Sequence, residues 1–244
     1  MKTWIGTSGF QYTEWKGTFY PEDLPTSKML PYFAERLFTT EINYTFHRIP
    51  SPKTIDNWLA QTPEHFRFAL KAPQKITHFA KLRDCQDTLA SFYRVVSALG
   101  DRLGPVLFQL PPNFKKDADR LSAFLRELPA MHAAFEFRHE SWLDEEIFAL
   151  LRASNVALCI ADTEKLGTPQ VCTANYGYLR LRREDYTAED VARWTAFTRS
   201  RSADWEEAFV YFKHEDAGSG PKLAREMMDL LAADSGSPPA AAAE

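Results

Sequence analysis

Residues 66–71 read Phe66-Arg67-Phe68-Ala69-Leu70-Lys71, and residues 133–138 read Ala133-Ala134-Phe135-Glu136-Phe137-Arg138. Successive side chains of an extended strand point to opposite faces. Phe66, Phe68 and Leu70 therefore share one face, and Arg67, Ala69 and Lys71 the other. Likewise Phe135 and Phe137 oppose Glu136 and Arg138. Large apolar sets of this kind suit a layer covered by helices. That sends Lys71, Glu136 and Arg138 to the inner face of the sheet.

Working outward from these two segments, short apolar runs recur at Thr3–Gly6, Thr39–Asn43, Phe66–Lys71, Pro105–Gln109, Ala133–Phe137, Val156–Ala161, Gly177–Leu181 and Ala208–Phe212. Helical spacing fills most of the intervals. It predicts helices over Ser27–Leu37, from Pro52 through Leu59, and over Cys85–Leu99, Asp117–Leu128, Asp144–Ala153, Thr187–Ser200 and Pro221–Ala232. Ser51 before Pro52 is a favourable helix start, and Asp144 is a plausible cap for the fifth helix. Strand–helix alternation predicts a parallel sheet with crossover helices. Eight such units in 244 residues give a single TIM-type (β/α)8 barrel of class α/β. Thr163–Tyr176 shows no helical stripe, so the sixth crossover is expected to be irregular. Residues 1–233 form the barrel domain on this reading. Residues 234–244 (DSGSPPAAAAE) are a low-complexity tail expected to be disordered.

Composition narrows the function classes. Hydrophobic residues make up 45% and charged residues 25% of the chain, ordinary for a globular protein. The net charge of −4 argues against a broad basic surface that grips nucleic acid, although it permits a local basic cleft. The sequence has no apolar run long enough to cross a bilayer as a helix, and no membrane partner is expected. The chain enters directly into a strand-like run without the pattern of a signal peptide. Cys85, Cys159 and Cys172 are widely spaced and form no CxxC pair. Together these features lead to the expectation of a cytoplasmic protein.

Barrel enzymes keep their chemistry at the C-terminal ends of the strands. The residues expected there are Ser8, Glu41, Asn43, Lys71, Gln109, Glu136, Arg138, Asp162, Arg180 and Lys213. Glu41, Glu136 and Asp162 are candidate general acids and bases, provided their environments separate their pKa values. Lys71 is a candidate nucleophile or anion binder. Arg138, Arg180 and Lys213 suggest a phosphate- or carboxylate-bearing ligand. Alternation places Asp162 on the helix-facing side, unless the sixth strand ends before it. His139 and Trp142, just past the fifth strand, are candidate substrate contacts, with Trp142 as a platform. Trp15 belongs to the long aromatic loop Gly9–Thr26, which forms either a stacking wall or a plug for the barrel mouth. Arg182, Arg183, Arg193, Arg199 and Arg201 read as solvated surface charges.

No cofactor is expected. A divalent metal on the carboxylates is not excluded, but no HxH or HExxH spacing appears and nearby Lys and Arg would repel a cation. A self-contained ion network closing the barrel, with Glu41 paired to Lys71, is the competing structural account.

Several stretches together resemble the YecE-like family (domain of unknown function 72). They are Ile5-Gly6-Thr7-Ser8-Gly9-Phe10 with Trp15, Glu41-Ile42-Asn43-Tyr44-Thr45-Phe46, and Phe66 to Pro73 with Ile76-Thr77-His78. They continue with Leu107-Phe108-Gln109-Leu110-Pro111-Pro112, Phe135-Glu136-Phe137-Arg138-His139 with Ser141-Trp142, and Ala161-Asp162-Thr163. The resemblance implies a TIM-type barrel and gives no reaction. The chain departs from the family's pattern at Arg180-Leu181-Arg182-Arg183, where Arg followed by His-Gly is common. It departs again at Lys213-His214, where an Asn-containing end is common.

The leading expectation is a hydrolase or lyase with carboxylate acid–base chemistry, acting on a polar or anionic small molecule. Its alternatives are a nucleic-acid-binding or nucleic-acid-processing protein, whose bases the loop aromatics would stack, and a non-catalytic ligand-binding barrel.

Overall fold

A computed structural model describes residues 1–164, 166–213 and 218–233. Eight strands appear, β1 (Lys2–Ser8), β2 (Thr39–Ile42), β3 (Arg67–Lys71), β4 (Leu103–Gln109), β5 (Ala133–Glu136), β6 (Ala157–Asp162), β7 (Tyr176–Leu181) and β8 (Glu207–Phe212). All neighbouring pairs are parallel, and β1 pairs with β8, so the sheet closes into a barrel in sequence order. The helices are α1 (Met29–Ala34), α2 (Pro52–Gln61), α3 (Gln86–Val96), α4 (Ala118–Glu127), α5 (Glu145–Ala153), α6 (Ala188–Ser200) and α7 (Ser219–Ala233). Among the described residues no helix lies between β6 and β7, as the irregular Thr163–Tyr176 interval led one to expect. The expected disorder of residues 234–244 lies outside the described residues.

Local chemistry sets the helix starts. The Ser51 hydroxyl accepts from the Thr54 amide with Pro52 at the first helical position, and the Asp144 carboxylate accepts from the Ile147 amide. Thr187 and Asp190 form a reciprocal capping box at α6.

Two packed layers follow from the alternation. Phe66, Phe68, Leu70, Phe108, Phe135 and Phe137 lie in the layer between barrel and helices. The barrel interior is filled by a second set, in which Ala69, Ala134, Ala157 and Ala161 leave room for Trp4, Tyr176, Tyr178, Phe209 and Tyr211. Small residues opposite large ones let the rings interdigitate at interior density. Gly6 is required where β1 meets β2, because a Cβ there would lie 1.8 Å from the Thr39 carbonyl oxygen. The aromatic interior seals the lower barrel, so the polar residues one layer higher meet at its mouth.

Candidate functional site

Ser8, Glu41, Lys71, Gln109, Glu136 and Arg180 each end, or nearly end, a strand on its inner face, and the closed barrel brings them together. Arg180 is the hub. Its Nη2 donates to Glu41 Oε1 at 2.7 Å and its Nη1 to Glu136 Oε2 at 2.5 Å. Glu41 and Glu136 are both 0% exposed and Arg180 is 2% exposed. Three charges so deeply buried stay ionised only with partners. Those partners are present. Glu41 also accepts from Ser8 Oγ at 2.6 Å and from the Tyr178 hydroxyl at 2.7 Å. Glu136 also accepts from Arg138 Nε at 2.5 Å and from Gln109 Nε2 at 2.9 Å.

The electrostatics follow from this geometry. Burial alone would raise both carboxyls, but the Arg180 charge, helped at Glu41 by hydrogen bonds from Ser8, Tyr178 and Arg180, outweighs it. Glu41 sits below the ordinary carboxylate range, and Glu136, with Arg138 as a second cation, is held at about 2. Both are pushed in the same direction. Lys71 moves the other way for an amine, since burial first and then the Arg180 charge lower it to about 8 against the pull of Glu41 and Glu136.

Lys71 does not pair with Glu41. Its Nζ donates to Gln109 Oε1 at 2.9 Å and lies 4.2 Å from the centre of the Phe46 ring. The expected Glu41–Lys71 pair does not form: Arg180, Ser8 and Tyr178 supply the donors to the Glu41 oxygens.

Above the hub opens a cavity of about 420 Å³, lined on its charged side by Lys71, Arg138, Arg180, Arg182 and Lys213. Asn43 and Gln109 also line it, and Asn43 Nδ2 donates to Ser8 Oγ at 2.9 Å. Among the described residues no carboxylate stands on its wall, and the acids beneath it are the two already bound to Arg180.

Other expected site residues lie elsewhere. Asp162 ends β6 pointing outward, as strict alternation placed it. It accepts from the Tyr186 hydroxyl at 2.6 Å and from Trp194 Nε1 of α6 at 3.0 Å, with Arg183 Nε at 3.5 Å. Trp15 is 1% exposed and packs against Tyr12, Phe19 and Tyr20 in the helix-side core, so its ring offers no open stacking wall. Trp142 is no platform. It is 0% exposed, lies parallel to Phe137 at 5.0 Å and donates to the Phe114 carbonyl. His139 Nδ1 accepts from the Ser141 amide and so caps a short turn outside the cavity.

Four cavity residues escaped the sequence reading. Arg182 reads in sequence as a surface charge, yet it shares parity with Tyr178 and Arg180, a signal that points it inward. Tyr12, Phe46 and His47 had no such signal. Alternation through Glu41–Phe46 puts Ile42, Tyr44 and Phe46 on the face opposite Glu41 and Asn43, toward the helices. The strand stops at Ile42, however, and Asn43 enters a helical turn that swings Phe46 into the mouth. Among the described residues, no group of three or more His, Cys, Asp or Glu side chains could hold a metal ion.

Comparison with known proteins adds family but not chemistry. The model of a family described as "Protein of unknown function DUF72" matches residues 4–243. The UPF0759 protein YecE of Escherichia coli K12 is 35% identical over 109 residues, covering 44% of this chain and 40% of that protein. The UPF0759 protein YunF of Bacillus subtilis is 21% identical over 255 residues, covering 88% and 90% respectively. A solved DUF72 protein of Thermotoga maritima superposes with a TM-score of 0.83 at 27% identity, covering 94% of this chain and 100% of that one. Thus the match to YecE, the first of these relatives, spans under half of either protein.

Proposed function

We propose that this chain, which belongs to the DUF72 family, is an enzyme acting on an anionic small molecule at the C-terminal mouth of the barrel. One observation carries the reading. Five cationic side chains line one cavity while its two carboxylates are already engaged with Arg180 beneath it. Leaving Lys213 aside, Lys71, Arg138, Arg180 and Arg182 outnumber Glu41 and Glu136 by two charges among the described residues, a field that draws in and holds an anion. Arg138 and Arg182 offer planar donor forks suited to phosphate or carboxylate oxygens.

The acid–base role passes from the carboxylates to Lys71. A carboxylate held near 2, with both oxygens accepting charged donors, is a poor base at neutral pH and has no proton to give. Glu41 and Glu136 instead position Arg180. Lys71 exchanges its proton close to the working range of a cell. This supports a lyase or hydrolase in which Lys71 touches the reacting atoms. Three unpaired cysteines agree with a reducing cytoplasm. Among the described residues, no helix is long and apolar enough to cross a membrane.

Calorimetric titration with inorganic phosphate tests the anion site. Binding should be seen with the native protein and weaken about tenfold or more in Arg182→Ala, the loss of one charged hydrogen-bond donor. No heat of binding at low salt would refute the reading.

A second reading, an oligonucleotide held by its phosphates, is favoured by the exposed rings of Tyr44 (49%) and Phe79 (72%) on the two loops that supply Phe46 and His78. Steeply salt-dependent binding of single-stranded or duplex oligonucleotides would select it.

A further inference from the structure

We propose that Lys71 is an amine nucleophile that condenses with the carbonyl carbon of a phosphorylated aldehyde or ketone, seated by Arg138 and Arg182. The inference rests on the anion-site reading above and names the substrate class and the bond formed.

The argument begins with the partner Lys71 has. Among the described residues no carboxylate lies within ion-pair distance of its nitrogen, although two are buried nearby. Its acceptor is the Gln109 amide oxygen at 2.9 Å, and the opposite end of that amide is fixed by donation to Glu136 at 2.9 Å. Glu136 therefore decides which way the amide faces. A neutral acceptor makes a specific difference. A carboxylate in that place would keep the amine protonated. An amide oxygen takes one N–H from ammonium and amine alike and leaves the free amine's lone pair for a ligand in the cavity. Phe46 beneath the nitrogen restricts it further at 4.2 Å. Around it, Arg180 and Arg138 oppose a proton while Glu41 and Glu136 favour one, and burial decides the balance toward about 8.

The cations fix the rest of the ligand. Arg138, Arg182 and Lys213 line the same cavity as Lys71. Two guanidinium groups, of which Arg138 already shares Glu136, present several donors and suit a dianion with three acceptor oxygens better than a single carboxylate. The cavity of about 420 Å³ admits a short carbon chain between phosphate and amine.

The chemistry balances without an oxidant or reductant. The Lys71 nitrogen lone pair attacks the carbonyl carbon, and the C=O π pair moves to oxygen, which takes a proton. The resulting hydroxyl leaves as water while the nitrogen lone pair closes C=N. The nitrogen gives one proton to the carbinol oxygen and solvent supplies a second so that the hydroxyl departs as water. Amine plus carbonyl plus one proton gives iminium plus water, and the iminium then serves as an electron sink for breaking or forming a bond at the adjacent carbon.

Pyridoxal 5′-phosphate carries an aldehyde and a phosphate on one small ring and serves as the probe. The protein is incubated with it at pH 7.5, reduced with cyanoborohydride and mapped by peptide mass spectrometry. An amine with a pKa of about 8 is about one quarter neutral at that pH, against about a thousandth for an ordinary lysine. Lys71 should therefore label at least about tenfold faster than surface lysines, after allowing for its lower intrinsic nucleophilicity. Excess inorganic phosphate should suppress that adduct. Lys71→Arg, which keeps the charge but forms no imine, should lose the adduct and still bind phosphate in the calorimeter. Labelling spread evenly over lysines while phosphate binds would overturn the inference and leave the anion site standing. Absence of phosphate binding by the native protein would overturn both.

Discussion

Replacing Glu136 by Gln removes one negative charge from beneath the cavity while keeping its shape. Glu136 is wholly buried and accepts from Arg138, Arg180 and Gln109. Its carboxyl is held at about 2, against the ordinary 4.5. The folded pKa is depressed, so the stabilisation is fully present above the unfolded value and is lost as pH falls through the folded one. Linkage gives about 3 kcal/mol at pH 7, falling to roughly 1 kcal/mol at pH 3. Removing one partner of a buried ion pair independently suggests about 3–5 kcal/mol, because two arginines are left facing an amide that also presents donors. Urea unfolding at both pH values is the assay. Native protein and Glu136→Gln should differ by about 3 kcal/mol at pH 7 and by distinctly less at pH 3, with unchanged denaturant slopes. An equal gap at both values, or a gap under about 1 kcal/mol at pH 7, would refute the account of Glu136 as an ionised clamp on Arg180.

Other expectations separate site from scaffold. Asp162→Ala removes the acceptor shared by the Tyr186 hydroxyl and the Trp194 N–H, and should cost about 2 kcal/mol in urea while leaving phosphate affinity within about twofold of native. Gly6→Ala forces a methyl against the Thr39 carbonyl, so thermal unfolding should show a loss of at least about 2 kcal/mol or no folded protein. A disulfide reagent at pH 8 should modify one thiol readily, that of partly exposed Cys172. Burial shields Cys85 and Cys159 and pushes their thiols up, Cys85 to about 11. Rapid titration of three thiols in the native state would contradict the packing of β6.

The sequence by itself determined the barrel, because period-two strands and helical crossovers are local patterns that each segment carries within its own few residues. It also determined which faces of β2, β3, β5 and β7 turn inward, and so gathered Glu41, Lys71, Glu136 and Arg180 before any coordinates. Alternation carried to its end would have added Arg182. Only the tertiary structure decided who pairs with whom. Arg180 lies 139 residues from Glu41 and 44 from Glu136, and which carboxylates one guanidinium reaches depends on barrel closure and register. Phe46 enters the mouth because Asn43 bends the chain, and Trp142 lies outside it, stacked on Phe137. Periodicity assigns a side chain to a face. The field at an ionisable group sums over neighbours from every strand, so the low carboxyls and the lowered Lys71 exist only once the cylinder is closed.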